Sequence, residues 1–276
     1  MELLNPDQVR QAVRQNYAEV AQRGNTCGCT ATSCCSDEST PSIEMISLQL
    51  GYSSSEIINA PEGSNLGLGC GNPQVIAAIQ PGETVIDLGS GAGFDCFLAS
   101  RQVGNSGRVI GVDMTPEMIQ RARGNAAREG YNNVEFRLGE IEHLPVADGF
   151  ADVIISNCVI NLSPDKPQVF REAFRTLKVG GRLAISDVVA SAVLPEDIQR
   201  DLELLSGCIA GAALIGDIEE MLKDAGFVNI RITPKDESRD FIRNWSPGSN
   251  ATDYVVSATI QAVKPPEASG FSQDTE

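Results

Sequence analysis

Val85-Ile86-Asp87-Leu88-Gly89-Ser90-Gly91-Ala92-Gly93 is an apolar run that breaks into three closely spaced glycines. A run of this kind reads as a buried strand, and the glycines as a turn that lets backbone approach a ligand at the start of a helix. The dinucleotide fingerprint would place a third glycine at 94, where this chain has Phe94. Asp87 would repel a pyrophosphate and instead suits a ligand that carries an ammonium group. Outward from this loop the chain alternates strand and helix. Strands are expected at 84–88, 108–112, 134–138, 151–156 and 182–187, each apolar enough to be buried on both faces. Thr115-Pro116-Glu117 starts a helix well. Residues 165–178 carry Val169, Phe170, Ala173, Phe174 and Leu177 on one face, and Gly180-Gly181 is expected to end that helix. Asp217 with Glu220 reads as a capping box for a helix that stops at Gly226. Residues 227–232 and 253–262 alternate with period two, as an antiparallel pair at a sheet edge would. The sum is a doubly wound α/β domain with its ligand at the carboxyl ends of the strands.

Before this core, residues 6–23 show the 3.6-residue spacing of an amphipathic helix, and 42–50 and 73–79 are short helix candidates. Asn72-Pro73 supplies a cap followed by a helix-starting proline. Residues 24–41 are Gly, Thr, Ser and Cys with little apolar bulk, which reads as an arm. The expected division is a helix and cysteine-rich arm over 1–72, a core domain over 73–264 with an insertion around 189–216, and a disordered tail over 265–276.

With 276 residues, one or two domains are expected at roughly 150 residues each. The net charge of −16 repels phosphate backbones and anionic lipid, so nucleic acid and membrane surface are poor partners. No apolar run reaches the length of a bilayer span. The start, Met1 to Asp7, has neither a basic nor an apolar leader region, so a cytoplasmic location is expected. The one histidine, His143, excludes two-histidine metal motifs and is expected in a surface loop. The eight cysteines argue for thiol chemistry or soft-metal binding rather than structural disulfides.

Strand two ends in Asp113, placed to accept two ribose hydroxyls, and Glu140-Ile141 follow strand three, placed to flank an adenine. With Asp-x-Gly-x-Gly-x-Gly and the late antiparallel strands, this pattern resembles the Rossmann-like class I S-adenosylmethionine-dependent methyltransferases. The resemblance implies a seven-stranded, mostly parallel sheet. It also implies a cofactor held by Asp87, Gly89, Ser90, Gly91, Gly93, Asp113, Met114, Glu140, Ile141 and Asn157.

Three cysteines fall where a methyl acceptor would sit. Cys158 follows strand four in Ser156-Asn157-Cys158-Val159-Ile160-Asn161-Leu162, Cys208 lies in the insertion, and Cys70 lies in Leu68-Gly69-Cys70-Gly71-Asn72-Pro73. Three thiolates from separate segments can enclose one thiophilic ion in a pyramidal site. Trivalent arsenic in such a site keeps a lone pair and has no proton to remove, so it needs no histidine base. These strings resemble the arsenite S-adenosylmethionine methyltransferases over roughly residues 5–262. The resemblance implies that Cys70, Cys158 and Cys208 bind arsenic and serve methyl transfer, together with an arm thiol. Cys27, Cys29, Cys34 and Cys35 are the arm's candidates, and Cys34 and Cys35 are the expected arsenic ligands among them. It also implies arsenite or its thiol conjugates as substrate, and thioredoxin or glutathione as reductant, because a disulfide among these cysteines stops turnover. Cys70, from a segment outside the core sheet and near the arm, is expected to be able to reach a partner thiol and form a disulfide, while Cys158 and Cys208 are held by the sheet and its insertion. Cys96 is expected to be a packed core residue and Trp245 a packing anchor. Two other readings compete: a methyltransferase of an organic substrate of quinone or sterol type, and a thiol-based metal or redox sensor.

Asp113→Ala is expected to weaken S-adenosylmethionine binding by about 1–3 kcal/mol, because two hydroxyls lose a charged acceptor. Calorimetry showing unchanged affinity would refute the placement of Asp113.

Overall fold

The structure is a computed structural model, and it describes residues 5–23, 42–199, 201–243, 245 and 250–266. Its centre is a seven-stranded sheet in the order β3-β2-β1-β4-β5-β7-β6. The strands are β1 (Thr84–Leu88), β2 (Arg108–Asp113), β3 (Val134–Leu138), β4 (Ala151–Asn157), β5 (Leu177–Ala190), β6 (Val228–Lys235) and β7 (Val255–Val263). The first five run parallel, and β7 is antiparallel to both of its neighbours, β5 and β6. Val85, Ile86 and Leu88 of β1 are buried on both faces, which is why this strand takes the middle of the sheet. The order turns back between β1 and β4, so the connections on either side leave in opposite directions and open a crevice at the carboxyl ends of these two strands. The glycine loop follows β1 and Cys158 follows β4, so topology alone brings them to one crevice.

Two local expectations are corrected. The helix Lys166–Thr176 ends before the glycines, and Leu177 to Gly181 belong to β5. The Thr176 hydroxyl bonds back to the Glu172 carbonyl, and the Gly180 N–H donates to the Lys264 carbonyl beyond β7, so ladder bonding replaces helix bonding there. The extra residues are absorbed by a register shift between Ala151 and Val153. The helix Ile215–Asp224 starts at Leu214 without a side-chain cap, and Asp217 lies in its first turn. In the short helix before β1, Gln74–Ala77, Pro73 takes the N-cap position, and Asn72 one residue earlier accepts the Gln74 N–H on its Oδ1 at 2.9 Å.

The first helix, Pro6–Arg23, lies across the carboxyl side of the sheet. Its Val9 and Val13 pack in one apolar cluster with Cys70, Cys158, Cys208 and Val188. Arg10 and Arg14 pair with Glu140, and Arg10 reaches Glu142 as well. Between β5 and the helix at 215, two short helices, Glu196–Gln199 and Leu202–Ser206, lead into the Cys208 segment. That segment is pressed onto the loop after β4: a Cβ on Gly211 would stand 2.0 Å from the Asn161 carbonyl oxygen. The arm at 24–41 and the tail at 267–276 lie outside the described residues.

Gly211→Ala is therefore expected to cost about 1–3 kcal/mol of stability through overpacking against backbone that cannot yield. Urea denaturation measures it, and an unchanged midpoint would show that the two loops are not in contact.

Candidate functional site

A cavity of about 620 Å³ opens at the crevice. One wall is the glycine loop. Gly89, Gly91 and Gly93 all have positive φ, at 69°, 51° and 97°. A Cβ on Gly89 would meet Val159 at 2.3 Å, whereas one on Gly91 would meet nothing within 4 Å, so the loop is packed at its base and open above. Gly93 is one of two expected contact residues that do not line the cavity, Glu140 being the other. The missing side chain of Gly93 makes room for Phe97 and Phe136.

Asp113 joins β2 to this loop. Its Oδ2 accepts the Gly91 N–H at 2.9 Å and its Oδ1 accepts the Thr115 N–H at 2.8 Å. Burial raises its pKa, and these backbone bonds oppose the rise. Met114, Met118 and Ile141 add apolar wall beside it. Glu140 is corrected: it turns to Arg10 and Arg14 of the first helix and is not on the wall. Ile141 and Glu142 line the cavity in its place, with Glu142 buried and accepting the Ser163 hydroxyl at 2.7 Å.

Asp87 and Asp95 form a buried pair behind the loop. Burial raises both pKa values, that of Asp87 strongly, and the charge of Asp95 adds to the rise at Asp87. The Cys96 thiol donates to Asp87 at 3.2 Å, so this buried cysteine packs and bonds at the loop and stays apart from the other thiols. Tyr52 donates to Asp95, at 2.9 and 3.0 Å from its two oxygens.

Asn157 lines the cavity, as expected, but its amide is engaged within the protein. Its Oδ1 accepts the Cys70 N–H at 3.0 Å, and its Nδ2 donates to the Gly71 carbonyl at 2.8 Å and to the Tyr52 hydroxyl at 2.9 Å. Ser257 Oγ holds the Cys70 carbonyl at 2.6 Å. The Cys70 backbone is thus held by β4 at its N–H and by β7 at its carbonyl.

Cys70, Cys158 and Cys208 are all buried and reduced. Cys158 and Cys208 line the cavity, and Cys70 stands behind Cys158, their sulfurs within 4.8 Å. The Cys208 thiol donates to the Cys158 carbonyl at 2.8 Å. The thiols of Cys208 and Cys70, then burial, push the Cys158 pKa well up, and burial raises that of Cys70. Both therefore carry protons at neutral pH. Cys158 and Cys208 also have positive φ, at 59° and 62°, a conformation that costs a non-glycine residue about 1–2 kcal/mol. Such strain is found where structure around a residue over-determines its position.

Several residues of the site carried no separate signal. Asp187, at the end of β5, places a carboxylate oxygen within 4.8 Å of the Cys70 and Cys158 sulfurs, and its pKa is raised by burial to about 6. A single acid in the apolar strand 182–190 was the available sign. Tyr17 on the first helix lies on the cavity wall, its hydroxyl donating to the Ser206 carbonyl at 3.4 Å. Trp245 packs on Phe241, with ring centroids 5.6 Å apart, and lines the same cavity. His143 is exposed. Cys34 and Cys35 lie outside the described residues. Among the described residues no helix is long and apolar enough to cross a membrane.

The residues fit a nucleoside that carries an amino acid. The Ser90 hydroxyl is buried without a partner, the space above Gly91 is open, apolar wall flanks Asp113, and the buried carboxyls of Asp87 and Asp95 on the cavity wall suit an ammonium group.

A family model described as "Methyltransferase domain" matches residues 79–226. The chain is 52% identical over 268 residues to an arsenite methyltransferase of Halobacterium salinarum, covering 95% of this chain and 68% of the relative. It is 40% identical over 231 residues to one of Aquipseudomonas alcaligenes, covering 81% of this chain and 63% of that protein. Among solved structures, an arsenic(III) S-adenosylmethionine methyltransferase of Chlamydomonas reinhardtii matches with a TM-score of 0.61 and 33% identity, over 83% of this chain and 76% of that one.

The strain at Cys158 can be measured. Cys158→Gly is expected to be more stable than Cys158→Ala by about 1 kcal/mol, since both remove the thiol and only glycine accepts the left-handed backbone freely. Urea denaturation showing the alanine variant more stable would refute strain there.

Proposed function

The chain belongs to the arsenite methyltransferase family, and on that premise we propose that it methylates trivalent arsenic held by Cys70, Cys158 and Cys208. The observation that carries this reading is that Cys158 and Cys208, from separate segments, line the cavity walled by the glycine loop, with the buried Cys70 of a third segment directly behind Cys158.

Arsenite enters as a neutral trihydroxide. Each thiol passes its proton to a leaving hydroxide, so three arsenic–sulfur bonds form and three waters depart with no net proton change. This exchange uses protonated thiols, the state favoured at Cys158 by the neighbouring thiols and burial and at Cys70 by burial. Three sulfurs leave arsenic with a lone pair, and no base is needed to expose it. S-adenosylmethionine, when bound, supplies an electrophilic methyl group on a sulfonium sulfur. Asp113 and the loop at Gly89, Ser90 and Gly91 would hold its ribose and backbone, Ile141 and Met114 its adenine, and Asp87 with Asp95 its ammonium. The protein's contribution is positioning: the sheet fixes the loop after β1 and the thiol after β4 relative to each other.

A thiol reductant of the thioredoxin or glutathione class would keep the three cysteines reduced between turnovers. The same need favours a reducing compartment, the cytoplasm.

The test is incubation of the purified chain with arsenite, reductant and S-adenosylmethionine, read for methylated arsenicals. Cys158→Ser and Cys208→Ser are each expected to abolish methylation and leave cofactor binding intact. Cys70→Ser, behind the cavity wall, is expected to lose activity on arsenite yet retain some on a trivalent monomethylated arsenical, which needs only two sulfurs. Near-normal methylation in the Cys158 or Cys208 variant would overturn the thiol site in favour of an organic acceptor.

A further inference from the structure

The thiol cluster contains a donor that arsenic does not need. A carboxylate oxygen of Asp187 and the sulfurs of Cys70 and Cys158 lie within 4.8 Å of one another, all on buried side chains. Trivalent arsenic is satisfied by three sulfurs and keeps its lone pair in the fourth direction. Zinc-group dications have no such lone pair and take tetrahedral sets that mix thiolate with carboxylate.

Asp187 is built as a ligand carboxylate would be. Its Oδ2 accepts the Ile160 N–H at 2.8 Å, and its Oδ1 accepts Asn161 Nδ2 at 3.0 Å and the Val188 N–H at 2.8 Å. The Val159 backbone also acts on Asp187, and together these bonds fix the orientation of its carboxylate, as partners around a metal-bound carboxylate do. The charges also balance. Two thiolates and a carboxylate around a dication leave one negative charge, and the Lys166 ammonium, which donates to the Ser163 carbonyl at 3.2 Å, acts on Asp187 as the compensating cation.

We propose that Cys70, Cys158 and Asp187 form a binding site for a soft dication, Zn²⁺ or Cd²⁺, which overlaps the arsenic site and excludes arsenic when filled. The two sites share Cys70 and Cys158 and differ in the third donor: Cys208 for arsenic, Asp187 for the dication. Binding breaks two S–H bonds and forms two metal–sulfur bonds. The two protons pass to the buffer, and no electrons are transferred. Arsenite capture releases water and no net proton, so proton counting separates the two events. The dication site stands or falls independently of methylation, because its test needs neither cofactor nor turnover.

The probe is Cd²⁺, added to the full-length chain with Cys27, Cys29, Cys34 and Cys35 changed to Ser, under a phosphine reductant and without free thiols. One equivalent is expected to bind, with thiolate-to-metal ultraviolet absorption and release of two protons. That release is read by calorimetry in buffers of different ionisation enthalpy. Asp187→Asn is expected to weaken Cd²⁺ at least tenfold and to bind arsenite within about twofold of the parent. Cys208→Ser is expected to do the reverse, keeping Cd²⁺ and losing arsenite, which preserves the test if the Asp187 variant does not fold. Loss of Cd²⁺ binding in Cys208→Ser would mean that the dication uses the three sulfurs, and would overturn the proposal. So would failure of the arm-substituted chain to bind Cd²⁺.

Discussion

One carboxamide connects the two halves of the site. Asn157 ends β4, receives the Cys70 N–H, and gives its own N–H groups to Gly71 and Tyr52. Through Tyr52 the same amide reaches Asp95 and the buried acidic pair behind the glycine loop. The segment that carries Cys70 is not a strand, and Ser257 of β7 holds it at the Cys70 carbonyl. Gly69 fits beside Asn157 only because it has no Cβ, which would lie 2.7 Å from the amide nitrogen. A buried polar group left without its partners costs about 1–3 kcal/mol, so each of these bonds holds the others in place. The distance between a cofactor's methyl-bearing end and a thiol-held substrate is thus referred to one side chain.

Much of this arrangement was legible in the chain. The glycine loop and Asp113 announce themselves because a tight turn and a charge at a strand end are local features. Cys158 and Cys208 were found because each follows a strand or lies in an insertion at the ligand-bearing edge. What was misread depended on partners distant in sequence. Glu140 could have turned either way after β3, and two arginines on the first helix decide it. Gly180-Gly181 read as a helix stop, and the pairing of β5 with β7 made it the start of a strand. Asp187 was lost among apolar neighbours, since a strand pattern does not say which face of the sheet end it serves. Asn157 lines the cavity, and its amide bonds run inward to Cys70, Gly71 and Tyr52, partners distant in sequence.

The thiol cluster combines features that would be costly in a passive core. Two of its cysteines are held in left-handed backbone, and the pKa of Cys158 is raised most by the neighbouring sulfurs. A cysteine buried only for packing would be placed in an ordinary backbone conformation, as Cys96 is in its helix. Strain and crowding of this kind persist because the loop after β4 is clamped on both sides, by the Cys208 segment at Asn161 and by Asp187 at Ile160. Protonated thiols at Cys70 and Cys158 add no negative charge beside the buried Asp187.

Trp245 is the only tryptophan in the chain, and its indole lies on the wall of the cavity that holds the glycine loop and two of the thiols. All indole fluorescence of the protein therefore originates at the site. Its emission wavelength reports the wetness of the cavity, and its intensity responds to a heavy thiophilic atom or a stacked purine entering beside it. The molecule carries its own optical gauge of occupancy, with no label to attach and no second indole to subtract.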